Sequence, residues 1–299
     1  MTSPTRCGVV AIVGEPNAGK STLINQLIGG KVSIVSPKVQ TTRCNVRGVA
    51  MSDETQLVLI DTPGIFEAGK PFEKSMVQAA WAGVGDGDAV LLLLDAKAGL
   101  SERFSALAQA MLARAGKPVF LALNKIDRVK KDTLMALAQQ CAALGDFAAI
   151  YMISAKQGDG TQDMLARLAA HMPQGPWLFP ADQLSDVPMR MLAAEITREK
   201  LFLKLEQELP YSIFVETESW EENEHRAVVS QVIYVERDGQ KKIVIGEGGA
   251  MIKSIGSSAR RELEKMLEKP VHVQLFVKVK PGWKLDGETY RLLGLTRKE

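Results

Sequence analysis

The sequence predicts a two-domain protein in which an open α/β sheet precedes a smaller α+β domain. At 299 residues, the chain exceeds the usual size of a single hydrophobic core. Continuous apolar runs at 89–95, 118–123 and 148–153 alternate with helical patterns, which is typical of parallel strands covered on both faces. Beyond residue 180 this alternation ends, and a helix is followed by a pair of strands. These three observations give the fold class.

The first domain begins with a buried strand at 7–13 and a helix at 21–27. Residues 31–46 show no clean period, so we expect a long loop, and long loops in compact domains are often functional. Short strands at 48–52 and 57–60 are joined by a turn, and helices are predicted at 101–115, 132–144 and 161–171. Open sheets of this kind bind ligands at the carboxyl ends of their strands.

A proline-rich segment at 172–180 ends the last of these helices and places the domain boundary near residue 180. Two prolines flank Trp177, which predicts a semi-rigid linker with this aromatic side chain anchored on a neighbouring domain. The second domain is predicted to hold a helix from Pro188 to about Glu206, strands at 211–217 and 227–236, and a turn at 237–240. A strand at 241–245, helices at 250–255 and 257–268 and a strand at 271–279 follow.

Composition sets the broad class of the protein. Apolar residues make up 46% and charged residues 24%, as in ordinary globular proteins, and the net charge of +2 does not by itself indicate nucleic-acid binding. Three cysteines without a C-x-x-C pair fit a reducing cytosol. The first residues lack the apolar core of a signal peptide, and the longest apolar run is too short to span a bilayer. We expect a cytoplasmic protein that can still touch a membrane surface.

A glycine-rich loop between the first strand and the first helix fits the pattern G-x-x-x-x-G-K-[ST], which wraps the phosphates of a nucleoside triphosphate. The start of a helix offers unpaired N–H groups and a positive dipole to an anion. In this pattern the lysine reaches the β- and γ-phosphates and the last hydroxyl can bind Mg²⁺. An ordinary strand–helix turn is the alternative. The loop consists of Gly14, Glu15, Pro16, Asn17, Ala18, Gly19, Lys20 and Ser21.

Three further motifs follow predicted strands. After 57–60, a carboxylate can hold Mg²⁺ and a glycine N–H can meet the γ-phosphate. After 118–123, a carboxylate can accept from guanine N1–H and the exocyclic amine together, whereas adenine would leave it unpaired. After 148–153, a backbone N–H can reach guanine O6. Taken singly, the second and third motifs can also be plain helix N-caps. The motifs are Asp61-Thr62-Pro63-Gly64, Asn124-Lys125-Ile126-Asp127 and Ser154-Ala155-Lys156.

In this order the motifs resemble those of the translation-factor-like class of small GTPases. Thr41-Thr42-Arg43, in the long loop, resembles the family's first switch, where a threonine hydroxyl completes the Mg²⁺ shell. We favour Thr42 over Thr41 for this role. Loss of phosphate would then release this loop and the one after Gly64.

One departure concerns hydrolysis. Ras-like enzymes place a water-orienting glutamine after this glycine, but Ile65 and Phe66 stand here and cannot hydrogen-bond water. We therefore expect slow intrinsic hydrolysis. Related GTPases use an asparagine at the position of Asn17 to bind K⁺, which makes K⁺ binding and simple loop-shaping the two alternatives for this residue.

The second domain contains Gly246-Glu247-Gly248-Gly249 ahead of a basic helix. This arrangement resembles a KH domain, in which a G-x-x-G loop clamps the backbone of single-stranded RNA. Residues 205–238 hold nine acidic and two basic side chains, whereas 241–284 hold ten basic and four acidic ones. A basic stripe beside an anion-binding loop is typical of phosphate contact, and a solvated helix face is the alternative. Glu247 departs from the family because a middle position of this loop is usually basic.

A GTPase with these motifs followed by one KH domain is similar to the Era family. The resemblance implies an α/β P-loop GTPase domain at 5–172 with a doubly wound, mostly parallel sheet, a linker at 173–188 and a type II KH domain at 189–299. It implies a GTP hydrolase that binds the 3′ end of 16S rRNA and assists assembly of the small ribosomal subunit. It also implies possible contact with the inner membrane, and we take the chain to be a monomer.

The residues expected to act are drawn from these motifs. Catalysis is assigned to Lys20, Thr42 and Gly64, and metal binding to Ser21, Thr42 and Asp61 for Mg²⁺ and Asn17 for K⁺. RNA contact is assigned to Gly246, Glu247, Gly248, Gly249, Lys253, Arg260 and Arg261. GTP binding is assigned to Gly14, Glu15, Pro16, Asn17, Ala18, Gly19, Lys20, Ser21, Thr22, Asp61, Thr62, Pro63, Gly64, Ile65, Asn124, Lys125, Ile126, Asp127, Ser154, Ala155 and Lys156.

Two other functions stay open. The chain could be a membrane-surface signalling GTPase whose second domain binds a protein. It could also assist tRNA modification, although that class usually carries a folate-type or second GTPase domain. His171, His225 and His272 have no ligand spacing and are interpreted as structural.

Overall fold

A computed structural model describes residues 5–38 and 41–296, and these residues form two compact units. The first unit contains residues 5–33, 42–186 and 293–296. The second contains residues 34–38, 41 and 187–292. Part of the long loop predicted for the first domain therefore clusters with the second unit.

The first unit is built on a six-stranded sheet with the strand order β2-β3-β1-β4-β5-β6. Only β2 runs antiparallel to its neighbour, β3, and the other pairs are parallel. The prediction of a mostly parallel sheet is confirmed. The strands are β1 (Arg6–Gly14), β2 (Val46–Ser52), β3 (Thr55–Asp61), β4 (Ala89–Asp95), β5 (Val119–Asn124) and β6 (Ala149–Met152).

Helices cover both faces of this sheet. One apolar layer includes Leu23 of α1 and Met164 of α5, and the opposite layer includes Phe104 of α3 and Leu137 of α4. The sequence analysis did not identify α2, which starts with a proline whose missing N–H is not needed in a first helical turn. The helices are α1 (Lys20–Ile28), α2 (Pro71–Asp86), α3 (Glu102–Arg114), α4 (Lys131–Ala142) and α5 (Thr161–Ala170).

The segment after α5, up to residue 186, belongs to the first unit and is hydrogen-bonded to β3 and the turn before it. Gln56 is fully buried, and its Oε1 accepts from the N–H groups of Leu178 and Phe179 at 2.9 and 3.0 Å. Its Nε2 donates to the Phe179 carbonyl at 2.8 Å. The Trp177 indole N–H donates to the Glu54 carbonyl at 3.2 Å. Trp177 is therefore held by a hydrogen bond within the first unit, and the predicted linker at 173–188 stays a prediction.

As far as β9, the second unit has the element order α-β-β-α-α-β, followed by a short last helix, α9. Its sheet has the order β7-β8-β9, with the first pair antiparallel and the second parallel. Ile255 and Leu263 of α8 are buried against it. The elements are α6 (Met189–Lys204), β7 (Phe214–Glu222), β8 (Ala227–Val235), α7 (Asp238–Ile245), α8 (Ala250–Leu267), β9 (Val271–Val279) and α9 (Gly287–Leu292). Within the described part of the chain, no helix is long and apolar enough to cross a membrane.

The predicted strand at 241–245 is wrong, because these residues form helix α7. Gln240 starts the helix by accepting, through Oε1, from the N–H groups of Glu236 and Arg237 at 2.8 and 3.2 Å. Of the apolar residues that suggested a strand, Val244 is buried whereas Ile243 is 57% exposed. The two helices predicted at 250–255 and 257–268 are one continuous helix, α8.

Candidate nucleotide and nucleic-acid sites

The glycine-rich loop connects the end of β1 to the start of α1. Gly19 has φ +101°, and a Cβ there would lie 2.4 Å from Nδ2 of Asn124. Only glycine fits at this position without strain. The Lys20 ammonium is buried and donates to the carbonyls of Gly14 and Glu15, both at 3.1 Å. Burial lowers the pKa of Lys20 to about 8. A phosphate beside this lysine would restore its charged form.

Hydroxyl groups converge on one carboxylate oxygen at the end of β3. Asp61 is fully buried, and its Oδ2 accepts from Ser21 Oγ at 2.7 Å and from Thr42 Oγ1 at 3.2 Å. Burial raises the pKa of Asp61, and the hydroxyl donors oppose that rise. Asp61 Oδ1 is buried with no hydrogen-bond partner among the described residues. Because Mg²⁺ takes oxygen ligands, this cluster suits the predicted metal.

The geometry also distinguishes the two threonines of the first switch. Thr42 points to Asp61, whereas Thr41 Oγ1 donates to the Lys38 carbonyl at 2.8 Å within the second unit. The arrangement favours Thr42 as the metal-binding threonine. This assignment stays a prediction.

Ser33 belongs to the same cluster and was missed by the sequence analysis. Its Oγ donates to Asp61 Oδ2 at 2.6 Å, and only 4% of the residue is exposed. It lies in the stretch that shows no period, and none of the recognised motifs includes it. A short polar side chain is ordinary in a loop, so the sequence carried no signal.

The predicted base-reading motifs come together at the ends of β5 and β6. Asn124 is buried, with Nδ2 donating to the Ala18 carbonyl at 2.8 Å and Oδ1 accepting from the Ala155 N–H at 2.9 Å. Asp127 Oδ1 accepts from Ser154 Oγ at 2.7 Å. The loops after β1, β5 and β6 are thus joined through side chains, and Asp127 is held at a fixed edge.

Lys125 links the same loops by hydrogen bonds. Its backbone is left-handed, with φ +66°, and its Nζ donates to the Asn17 carbonyl at 2.7 Å and to Asp95 Oδ2 at 2.6 Å. Asp95, at the end of β4, is a second residue that the motifs did not reveal. By contrast, Lys156 is exposed.

The motif after β3 lies close to the phosphate loop. A Cβ on Gly64 would come within 3.1 Å of Pro16, and the Thr62 hydroxyl donates to the Ile12 carbonyl at 2.7 Å. Ile65 packs against the apolar layer beneath α3 and α4. The side chain at the water-positioning site is therefore engaged in packing.

In the second unit, the G-x-x-G loop has three glycines with positive φ. These are Gly246 at +75°, Gly248 at +56° and Gly249 at +79°, conformations that L side chains rarely adopt. Gly249 is the N-cap of α8, so the loop presents the start of an 18-residue helix. Glu247 is exposed on this loop.

A groove of about 300 Å³ lies between α8 and β9. Of the three basic residues of α8 predicted to contact RNA, Lys253 and Arg260 line this groove and Arg261 does not. Their contact with RNA stays a prediction. His272 also lines the groove and is exposed, so it does not contribute to the core. Side chains alternate between the two faces of β9, and the His272 ring lies outside the core. The full lining is Ile252, Lys253, Gly256, Ser257, Arg260, His272, Val273 and Leu275.

Comparison with known proteins covers nearly the whole chain. A family model described as 50S ribosome-binding GTPase matches residues 9–125, and a KH domain model matches residues 208–284. GTPase Era of Afipia carboxidovorans is 52% identical over 98% of this chain and 95% of its own length. GTPase Era of Brucella suis is 52% identical over 97% and 94%.

Two solved structures are also similar to the chain, both 38% identical and covering 97% of this chain and 99% of their own. A variant of Aquifex aeolicus Era bound to GDP and AlF4⁻ has a TM-score of 0.92. Era in complex with MgGDPNP and nucleotides 1506–1542 of 16S ribosomal RNA has a TM-score of 0.91.

Proposed function

We propose that this chain, which belongs to the Era family of GTPases, couples GTP binding and hydrolysis to the binding of 16S rRNA near its 3′ end. Family membership makes the chain a GTP hydrolase. The observation that best supports RNA binding is the groove beside the glycine loop, which is lined by Lys253 and Arg260. Assembly of the small ribosomal subunit is the proposed setting of this activity.

The proposal that the chain binds GTP rests on the loops at the ends of the strands. The phosphate chain would lie on the start of α1, with Lys20 beside the β- and γ-phosphates. Ser21, Thr42 and Asp61 would hold Mg²⁺, which neutralises the charge that develops on the phosphate oxygens. Asp127, held by Ser154, would accept from the guanine edge.

The reaction lacks a side chain to orient water at Ile65, which packs into the apolar layer. We expect slow hydrolysis in the isolated chain for this reason. A K⁺ ion held by Asn17 would supply charge near the β- and γ-phosphates. Asn17 is exposed and left-handed, with φ +65°, and its carbonyl is fixed by Lys125.

The first switch segment offers a route from nucleotide to RNA domain. Thr42 contacts Asp61 in the first unit, whereas Thr41 accepts through its carbonyl from Arg198 of α6 in the second unit. Lys38 donates to the carbonyls of Phe202 and Leu205 near the end of α6. Because residues 41 and 42 are neighbours, displacement of Thr42 on nucleotide exchange would act on the contacts with α6.

Titration of the protein with a short single strand that carries the 3′-end sequence of 16S rRNA tests the proposed RNA binding. Lys253→Ala and Arg260→Ala are expected to weaken binding and to lower the salt dependence, since each phosphate contact in a single strand contributes about 0.7 to the log–log slope. Lys265→Ala is the matched control, because Lys265 is exposed on the same helix and does not line the groove. Gly249→Asp should abolish binding, because it places a strained backbone and a carboxylate at the helix start.

Absence of RNA binding by the unaltered chain at moderate salt would contradict the proposal. That result would favour the second candidate, a signalling GTPase at the membrane surface whose KH unit binds a protein. A cytoplasmic location and a peripheral contact with the inner membrane both stay predictions.

A further inference from the structure

We infer that Ser33, held in place by Asn25, is a positioning residue that fixes the Asp61 carboxylate for Mg²⁺. This inference rests on the proposed nucleotide site and extends it to two residues outside every recognised motif. Ser33 Oγ donates to Asp61 Oδ2 at 2.6 Å, the shortest of the three hydroxyl contacts to that oxygen.

Asn25 fixes the backbone that carries this hydroxyl. Its Oδ1 accepts from the N–H groups of Val32 and Ser33 at 2.9 and 3.0 Å, and its Nδ2 donates to the Ser33 carbonyl at 2.7 Å. Three hydrogen bonds from one side chain hold two successive residues. The Ser33 hydroxyl is therefore tied to helix α1 and does not depend on its own loop for its position.

The same helix supplies a predicted metal ligand. Ser21 and Asn25 are four residues apart on α1, so they share one face of the helix. Ser21 Oγ contacts Asp61 directly, and Asn25 contacts it through Ser33. Helix α1 thus sets both the position of the ligand and the orientation of the carboxylate opposite it.

Ser33 differs from Thr42 in what happens when the first switch moves. Thr42 donates to the same Asp61 oxygen at 3.2 Å but belongs to the segment expected to leave when the γ-phosphate is lost. Ser33 is clamped to α1 and would stay. Since the carboxylate presents its partnerless Oδ1 while Oδ2 is held, Ser33 would keep Asp61 oriented for Mg²⁺ with GDP as well as with GTP.

The test is the Mg²⁺ dependence of binding of a fluorescent GDP by the full chain. Ser33→Ala is expected to raise the half-saturating Mg²⁺ concentration by roughly 10- to 100-fold, the usual effect of losing a group that orients a metal ligand. Its GDP affinity in EDTA should remain within about twofold of the unaltered chain, because Ser33 is not expected to touch the nucleotide. Ser33→Thr keeps the hydroxyl and should largely restore the Mg²⁺ response.

Ser36→Ala is the matched control. Ser36 Oγ accepts from the Lys38 N–H at 3.1 Å, within the second unit, and this variant should leave the Mg²⁺ response unchanged. Ser33→Cys retains the size of the side chain but donates only weakly, so it is expected to raise the Mg²⁺ requirement too. If Ser33→Ala does not fold, the Mg²⁺ requirement of Ser33→Cys tests the inference in its place.

The outcomes separate this inference from the proposed function. An unchanged Mg²⁺ requirement in both Ser33→Ala and Ser33→Cys would overturn the inference while leaving the metal site intact. An equal loss of GDP affinity in EDTA and in Mg²⁺ would also overturn it, because it would indicate general damage to the site. If the unaltered chain showed no Mg²⁺ effect, the proposed metal site itself would be refuted.

Discussion

Replacement of Asp127 by Asn should change which base the protein selects. Asp127 follows a left-handed Lys125, its Oδ1 accepts from Ser154 Oγ at 2.7 Å, and 22% of its side chain is exposed. The two carboxylate oxygens can accept from guanine N1–H and from the exocyclic amine together. Asparagine would still accept from Ser154, so the loop should keep its shape. The amide would, however, oppose one guanine donor with a donor of its own.

The expected magnitude follows from the hydrogen bond that is lost. A bond to a charged group contributes about 1.5–3 kcal/mol, and the asparagine amide loses the bond from the exocyclic amine. That loss corresponds to an affinity for a guanine nucleotide that is lower by about 10- to 150-fold. Xanthine carries an oxygen in place of the exocyclic amine. The asparagine amide can donate to this oxygen while its carbonyl accepts from N1–H, so affinity for the xanthine nucleotide should rise.

Displacement of a labelled guanine nucleotide by GDP and by XDP measures both effects. Asp132→Asn is the control, since Asp132 is an exposed carboxylate in the first turn of α4, and it should leave the GDP/XDP ratio unchanged. If Asp127→Asn left that ratio unchanged as well, the base-reading role would be refuted.

Four other experiments test the phosphate loop, the segment after α5, the packing around Cys141 and the K⁺ hypothesis. Gly19→Ala should abolish GTP binding, because its Cβ would lie 2.4 Å from the Asn124 amide in a left-handed backbone; retained binding in a calorimetric titration would contradict this. Gln56→Leu should lower the free energy of unfolding by about 2–4 kcal/mol, since two backbone N–H groups lose their buried acceptor; an unchanged urea midpoint would exclude that role. Burial raises the pKa of Cys141 to about 11, so at pH 8 only about one thiol in a thousand would be ionised. Its alkylation should be slow in the native protein and fast in urea, and fast native labelling would count against the packing. GTP hydrolysis should be faster in K⁺ than in Na⁺, and Asn17→Ala should remove the difference; equal rates in the two salts would end the K⁺ hypothesis.

The sequence predicted which loops meet at the ends of the parallel strands, because each of these loops carries a short local pattern. The nucleotide contacts of their residues stay predictions. Strand ends meet at one edge of a parallel sheet, so Asn124 and Ala155, which follow two apolar runs in the sequence, were expected to lie close together. Lys253 and Arg260 were proposed as RNA contacts from a glycine loop ahead of a basic helix, and both line the groove beside α8.

The residues missed by the sequence act through tertiary contacts. Ser33 and Asn25 meet Asp61 only after the loop folds back on α1, and no local pattern records that contact. Helix α7 was mistaken for a strand because three β-branched residues precede the glycine loop, whereas its contacts with α8 and its Gln240 cap favour the helix. The position of His272 beside the groove was likewise not predicted, because the spacing of histidines in the sequence carries no information about a groove between α8 and β9.

The central claim is that a guanine-nucleotide switch controls an RNA-binding domain. Its direct test is the affinity of the full chain for single-stranded RNA of the 16S 3′-end sequence, measured with a GTP analogue, with GDP and without nucleotide. We expect tighter binding with the GTP analogue. We also expect a smaller difference in Lys38→Met, which removes the ammonium that contacts the carbonyls of Phe202 and Leu205. Equal RNA affinity in all three nucleotide states would contradict control of RNA binding by the nucleotide.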